Sequence, residues 1–160
     1  MSDARIFEDL KADHDRQRGL LKRVGDHPGT DAPRREAFET LQLELQAHAA
    51  AEEESLYATM LGDPELREDA RHSVSEHKEV DDLLGELLDL EFGTAEWDET
   101  FGEMRHRYEH HIDEEEEDMF PAAAEGLSDA EQERLATIFE ARKPAELERA
   151  EDHAPGDERE

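Results

Sequence analysis

Apolar positions recur at steps of three and four along the whole chain, and no segment alternates with the period of two that a strand requires. The pattern predicts helices throughout. Helix 1 is expected from about Ser2, an N-cap residue, to Gly25, with Phe7, Leu10, His14, Leu21 and Val24 on one face. Asp26-His27-Pro28-Gly29-Thr30 reads as a loop. Asp31 then caps helix 2, and Pro33 falls in its first turn, where a missing N–H costs little. Helix 2 carries an inward stripe of Phe38, Leu41, Leu45, His48, Glu52 and Leu56, and Gly62 ends it. Helix 3 is expected from about Asp63-Pro64 to Phe92, with Ala70, Val74, His77, Leu84, Leu87 and Leu88 inward. Gly93 and Thr94 supply the next break and cap. Helix 4 bears Phe101, Met104, Tyr108, His111, Glu115 and Met119. Ser128 with Glu131 reads as a capping box opening a fifth helix, with Leu135, Ile138 and Phe139 on it and Pro144 limiting or kinking it.

Four long helices joined by short loops predict an all-α fold, an antiparallel up-down-up-down four-helix bundle with an additional C-terminal helix. Residues 1–125 are assigned to the bundle, 126–150 to the C-terminal helix packed on or beside it, and 151–160 to a disordered acidic tail. A chain of 160 residues fits one such domain.

The inward stripes contain polar residues, and these repeat. His14 and His77, His48 and His111, and Glu52 and Glu115 are each 63 positions apart. The apolar pairs Leu20/Leu83, Leu21/Leu84, Phe38/Phe101, Leu41/Met104 and Tyr57/Phe120 keep the same offset. A duplicated scaffold explains the apolar pairs alone. It does not explain two histidines and a glutamate placed among them at helical spacing.

A buried carboxylate is costly unless it is paired or holds a cation, and two facing one another raise each other's pKa. A divalent metal removes that penalty and uses the imidazoles as well. His48 and Glu52 are four apart on one helix face, as are His111 and Glu115, while His14 and His77 come singly from the other two helices. Four imidazoles and two carboxylates suit two first-row metals roughly 3.5–4 Å apart, bridged by the glutamates. Nitrogen and oxygen donors without sulfur fit iron, manganese, zinc or cobalt. The only Glu-x-x-His candidate, Glu103 to His106, has no repeat partner, which argues against a ferritin-type site.

The remaining histidines are expected elsewhere. His27 lies in a loop and His153 in the tail, His106 and His110 flank the inward stripe, and His72 falls at its edge. Within the acidic runs 52–54 and 113–118 one residue each points inward, and Glu53 or Glu116 could accept histidine N–H groups. Tyr57 and Tyr108 are candidates for hydrogen bonding at the site or for core packing.

Charge and composition narrow the partners. The net charge of −29 makes an almost uniformly acidic surface, which disfavours nucleic acid and anionic membranes. With lysine only at positions 11, 22, 78 and 143, that balance is also compatible with a salt-rich cytoplasm. The absence of cysteine excludes disulfides, thiolate catalysis and iron–sulfur ligation. No signal-like or membrane-spanning apolar run is present, so a cytoplasmic protein, monomer or homodimer, is expected.

Over roughly residues 1–125 the chain resembles the hemerythrin-like, or HHE cation-binding, family. The resemblance is carried by His-Ala-Ala-Ala-Glu at 48–52, His-Ile-Asp-Glu-Glu at 111–115 and Glu-Glu-x-x-Met-Phe-Pro ending at Pro121. It implies a non-heme di-iron centre with His14, His48, His77 and His111 terminal and Glu52 and Glu115 bridging. Oxygen-carrying hemerythrins add a fifth histidine one turn before that of helix 3, where this chain has Ser73. Their last helix also places the carboxylate five residues after the histidine, which fits His110, whereas the internal repeat selects His111. Fewer histidines leave more open coordination positions. The implied function is therefore binding of, or reaction with, dioxygen or peroxide, with an unidentified redox partner. A non-enzymatic iron or oxygen sensor or iron buffer is the alternative.

Overall fold

The structure is a computed structural model that describes residues 5–153. Helix α1 spans Arg5–Gly25. Helix α2 begins as Ala32–Glu52, widens into a π turn at Glu53–Tyr57 and ends as Ala58–Leu61. Helix α3 spans Arg67–Asp89. Helix α4 repeats the form of α2, with Ala95–Glu114, a π turn at Glu115–Met119 and Phe120–Gly126. Helix α5 spans Asp129–Asp152. The expected Ser2 cap lies outside the described residues, as does the tail from 154 onward.

α1 packs along α2, α3 along α4, α1 against α4 and α2 against α3, the neighbours of an up-down-up-down bundle. α5 lies along α1 and α2 and meets the end of α4 where Gln132 Nε2 donates to Ala124 O at 3.0 Å, so it covers the α1–α2 hairpin along its length and leaves most of the α3–α4 hairpin open. Ser128 and Glu131 form the expected reciprocal capping box at its start. Pro144 neither ends α5 nor confines it to 150; the helix continues to Asp152, held by buried Phe139, Glu146 and Ala150 on both sides of the proline.

Two further boundaries differ from the sequence pattern. Residues 62–66 form a turn, so α3 starts at Arg67 rather than near Asp63, and it ends at Asp89 rather than Phe92, with Leu90 in extended conformation as its C-cap. Leu88 is 46% exposed, because Leu84 and Leu87 already fill the inward positions of the last turn. At the loop end of the bundle Gly93 takes φ +80°, and a Cβ there would come within 2.8 Å of Gly29 O, so only glycine lets the two hairpin loops meet.

The core is split in two. One apolar cluster joins Ile6, Phe7 and Leu10 to Leu56, Met60, Phe120, Leu135 and Phe139. The other joins Leu21, Val24, Phe38 and Leu41 to Leu84, Trp97, Phe101 and Ile112. Between them lies a layer of buried histidine and glutamate.

Candidate metal centre

His14 on α1, His48 on α2, His77 on α3 and His111 on α4 all reach this layer, each at most 6% exposed. The rings pair within hairpins, His14 with His48 at 5.1 Å and His77 with His111 at 4.8 Å between centroids. The glutamates run across the pairs. Glu52 Oε1 lies 3.4 Å from Nε2 of both His48 and His77. Glu115 Oε1 lies 3.3 Å from Nε2 of both His14 and His111. Each carboxylate thus spans the two histidine pairs. All six residues that the repeat singled out are brought together. His110, by contrast, is exposed, and the repeat's choice of His111 is the one the bundle buries.

The outward nitrogens explain how the rings are held. Nδ1 of His14 faces Glu116 at 2.7 Å, Nδ1 of His48 faces Asp13 at 2.9 Å, Nδ1 of His77 faces Glu53 at 2.8 Å and Nδ1 of His111 faces Glu76 at 2.7 Å. A carboxylate can only accept, so Nδ1 donates in every case and the inward Nε2 is left to act as a ligand. All four Nε2 atoms, both Glu52 oxygens and Glu115 Oε1 are buried without a hydrogen-bond partner. Seven orphaned polar atoms, gathered as one group of His14, His48, Glu52 and Glu115 and another of Glu52, His77 and His111, are unfavourable in an apo core and are the donor set that divalent cations accept. The residues present fit such a group.

The outer carboxylates follow the repeat too: Asp13 and Glu76, like Glu53 and Glu116, are 63 apart. Sequence reasoning anticipated Glu53 and Glu116 and missed Asp13 and Glu76. The offset that identified the histidines would have found them, but in a chain with 47 acidic residues they carried no contrast. The π turns begin at Glu115 and one residue after Glu52. An i→i+5 turn widens the helix locally, and here Glu52 and Glu53 both serve the site while Ser55, Leu56 and Tyr57 all remain buried.

Electrostatics bind the layer together in the metal-free chain. Burial works against charge on His14, yet the adjacent carboxylates of Glu115 and Glu116 push its pKa up to about 9. His77 is likewise raised to about 10, against the cost of burial, by Glu52 and Glu53. Burial and the facing charge of Glu52 raise Glu115, while Glu52 itself is held low despite burial by Glu115, His48 and His77. The Tyr57 hydroxyl donates to Glu115 Oε2, and its ring stacks on His77 at 5.3 Å. Burial, then the charges of Glu115 and Glu52, keep this phenol protonated. The Tyr108 hydroxyl donates instead to Gln17, one step removed from the site.

The two sides of the layer differ. Over the α1–α2 hairpin α5 places Phe139 against His48 at 5.9 Å and inserts Lys143, whose Nζ donates to Asp13 at 2.6 Å and Glu44 at 2.9 Å. On the α3–α4 side a cleft of about 140 Å³, lined by His72, Ser73, Glu76, Glu114 and Met119, reaches His111 and Glu115. Among the described residues no helix is long and apolar enough to cross a membrane.

The comparisons with known proteins agree with this geometry. The sequence profile of the hemerythrin HHE cation binding domain matches residues 5–123. The uncharacterized protein Rv2633c of Mycobacterium tuberculosis is 31% identical over 139 residues, covering 85% of this chain and 83% of that protein. An uncharacterized protein of Mycobacterium bovis matches to the same extent. The crystal structure of a hemerythrin HHE cation binding domain-containing protein from Mycobacterium kansasii, a homolog of Rv2633c, superposes with a TM-score of 0.79. It is 28% identical, with 95% of this chain and 91% of that one covered. With its histidines and glutamates gathered in the bundle core, the chain belongs to the hemerythrin HHE cation-binding family.

Proposed function

We propose that the protein is a non-heme di-iron protein that binds or reduces dioxygen or peroxide. The two ions would be held by the imidazoles of His14, His48, His77 and His111 and the carboxylates of Glu52 and Glu115. The observation that carries this reading is the uniform orientation of the four rings, each with Nδ1 on a carboxylate and Nε2 unpartnered inward. Iron at this site supplies the electrons for reducing a small oxidant. The chain supplies position, protons and access. Glu52 and Glu115 would supply the carboxylate ligands, the outer carboxylates fix the imidazoles, and Tyr57 holds a hydroxyl proton at Glu115. Six protein ligands leave coordination positions open. Ser73, in the cleft that reaches Glu115, adds no imidazole to close them, so the α3–α4 side is where dioxygen or peroxide enters.

A second reading, an iron or oxygen sensor or iron buffer, draws on the split core. The histidine–glutamate layer separates the two apolar clusters, so loss of metal would loosen the bundle there. The test is elemental analysis after iron-replete expression, with absorption spectra before and after peroxide. About two irons per chain and catalytic peroxide consumption support the first reading. Two irons, no turnover and a protease-sensitive apo form support the second. Less than one iron per chain overturns both.

A further inference from the structure

The face of the α3–α4 hairpin that α5 leaves uncovered carries a second set of cation ligands. His72 Nε2 lies 3.3 Å from Glu76 Oε2 and 3.3 Å from Glu114 Oε1, and these atoms could hold one ion among them. His110 Nε2 adds a contact at 3.1 Å to the other oxygen of Glu114. The three residues line the mouth of the cleft whose inner wall is His111 and Glu115, and Glu115 Oε1 is buried there without a partner. Asp69 and Asp118 line the same cleft and no lysine or arginine does. An acidic cleft with low-dielectric walls concentrates cations.

The repeat shows that this is more than a solvated helix face. Counted back 63 positions, His110 and Glu114 correspond to Ala47 and Ala51, both fully buried in the half of the bundle that α5 covers. Where a fifth helix packs, the positions are alanine. Where none does, they hold a carboxylate, Glu114, that lines the cleft reaching Glu115, and an imidazole, His110, that faces Glu114 from the adjoining cleft. Glu76 belongs to both places: Oε1 accepts from His111 Nδ1 and Oε2 faces His72.

We propose that His72, Glu76 and Glu114 form a surface site for a hydrated divalent first-row cation, Fe2+ in function, that passes the ion down the cleft to the buried centre. This rests on the reading of that centre. One nitrogen and two carboxylates, with water completing the shell, hold such an ion without trapping it, as an entry site requires. Past the mouth lie Ser73 and Met119, and then Glu115.

The probe is Mn2+, followed by electron paramagnetic resonance on iron-loaded protein, together with the rate of Fe2+ uptake by metal-free protein. About one Mn2+ per chain is expected beyond the centre. His72→Ala and Glu114→Gln should weaken it about tenfold or more, leave saturating iron content unchanged and slow uptake several-fold, and His27→Ala should do none of these. No further Mn2+ site, a site indifferent to both substitutions, or an unchanged uptake rate overturns the proposal. Saturating iron content reads the centre and the Mn2+ isotherm reads the mouth, so either can fail alone.

Discussion

Glu53 accepts the Nδ1 proton of His77 at 2.8 Å across the α2–α3 interface, and Glu116, 63 positions later, does the same for His14 across α4 and α1. The duplication therefore preserved the supports of the histidines along with the histidines. An amide in place of either carboxylate keeps the shape but loses the charge that makes the imidazole a strong donor and a basic ligand. Glu53→Gln and Glu116→Gln should each lower metal affinity by about 10- to 100-fold at unchanged stoichiometry. Competition against a calibrated chelator measures this. Equal affinity in both variants would mean that the ring orientation is held by packing alone.

The metal-free protein should grow less stable as the solution becomes alkaline. His14 and His77 have pKa values raised to about 9 and about 10, above the ordinary value of 6.5. A group raised on folding contributes stability that is complete below its unfolded pKa and disappears as pH climbs through its folded one. The denaturation midpoint of the metal-free chain should fall between about pH 6.5 and 10. Metal binding must displace the same protons, so cation affinity should rise across that window. A midpoint that stays flat there, followed by circular dichroism in urea, would contradict the assigned protonation.

How far the sequence exposed this design depends on contrast. His14 and His77 stood out because histidine is rare among the leucines and phenylalanines of an inward stripe, and the duplication tested each one twice. Asp13 and Glu76 obeyed the same offset but were hidden among acidic residues that mostly face water. The π turns left no trace, since they alter hydrogen-bond register rather than residue type. Leu88 kept the period yet ended up exposed, because periodicity says which face a residue is on and not whether anything covers it. For the same reason the sequence predicted a fifth helix without saying which hairpin it would cover.

Tyr57 ties the apolar cluster to the metal layer, and its hydroxyl is the partner of Glu115 Oε2. Tyr57→Phe leaves the ring stacked on His77 and orphans that oxygen. In the metal-free chain the loss should be about 1–3 kcal/mol, read as a melting temperature lower by about 2–4 °C per kcal/mol. The iron-loaded protein should lose less, because the ions then satisfy Glu115. A larger loss in the loaded form would mean that the hydroxyl acts on the centre directly.

Lys143 is the element of α5 with the largest expected effect. Its ammonium reaches both Asp13 and Glu44, two carboxylates that are less than a tenth exposed, and Asp13 in turn holds His48. Removing one partner of a buried ion pair leaves the other charge stranded, at a cost of about 3–5 kcal/mol. Part of that is offset here by Arg16, 2.8 Å from Asp13 on the exposed side. Lys143→Met should therefore destabilise the protein by about 3 kcal/mol. It should also loosen the metal bound by His14 and His48 more than the metal bound by His77 and His111, whose rings rest on Glu53 and Glu76 rather than on Asp13. Stepwise chelation of the iron-loaded variant resolves the two. Simultaneous loss of both ions at the wild-type chelator concentration would show that α5 only packs against the bundle and does not hold the geometry of the site.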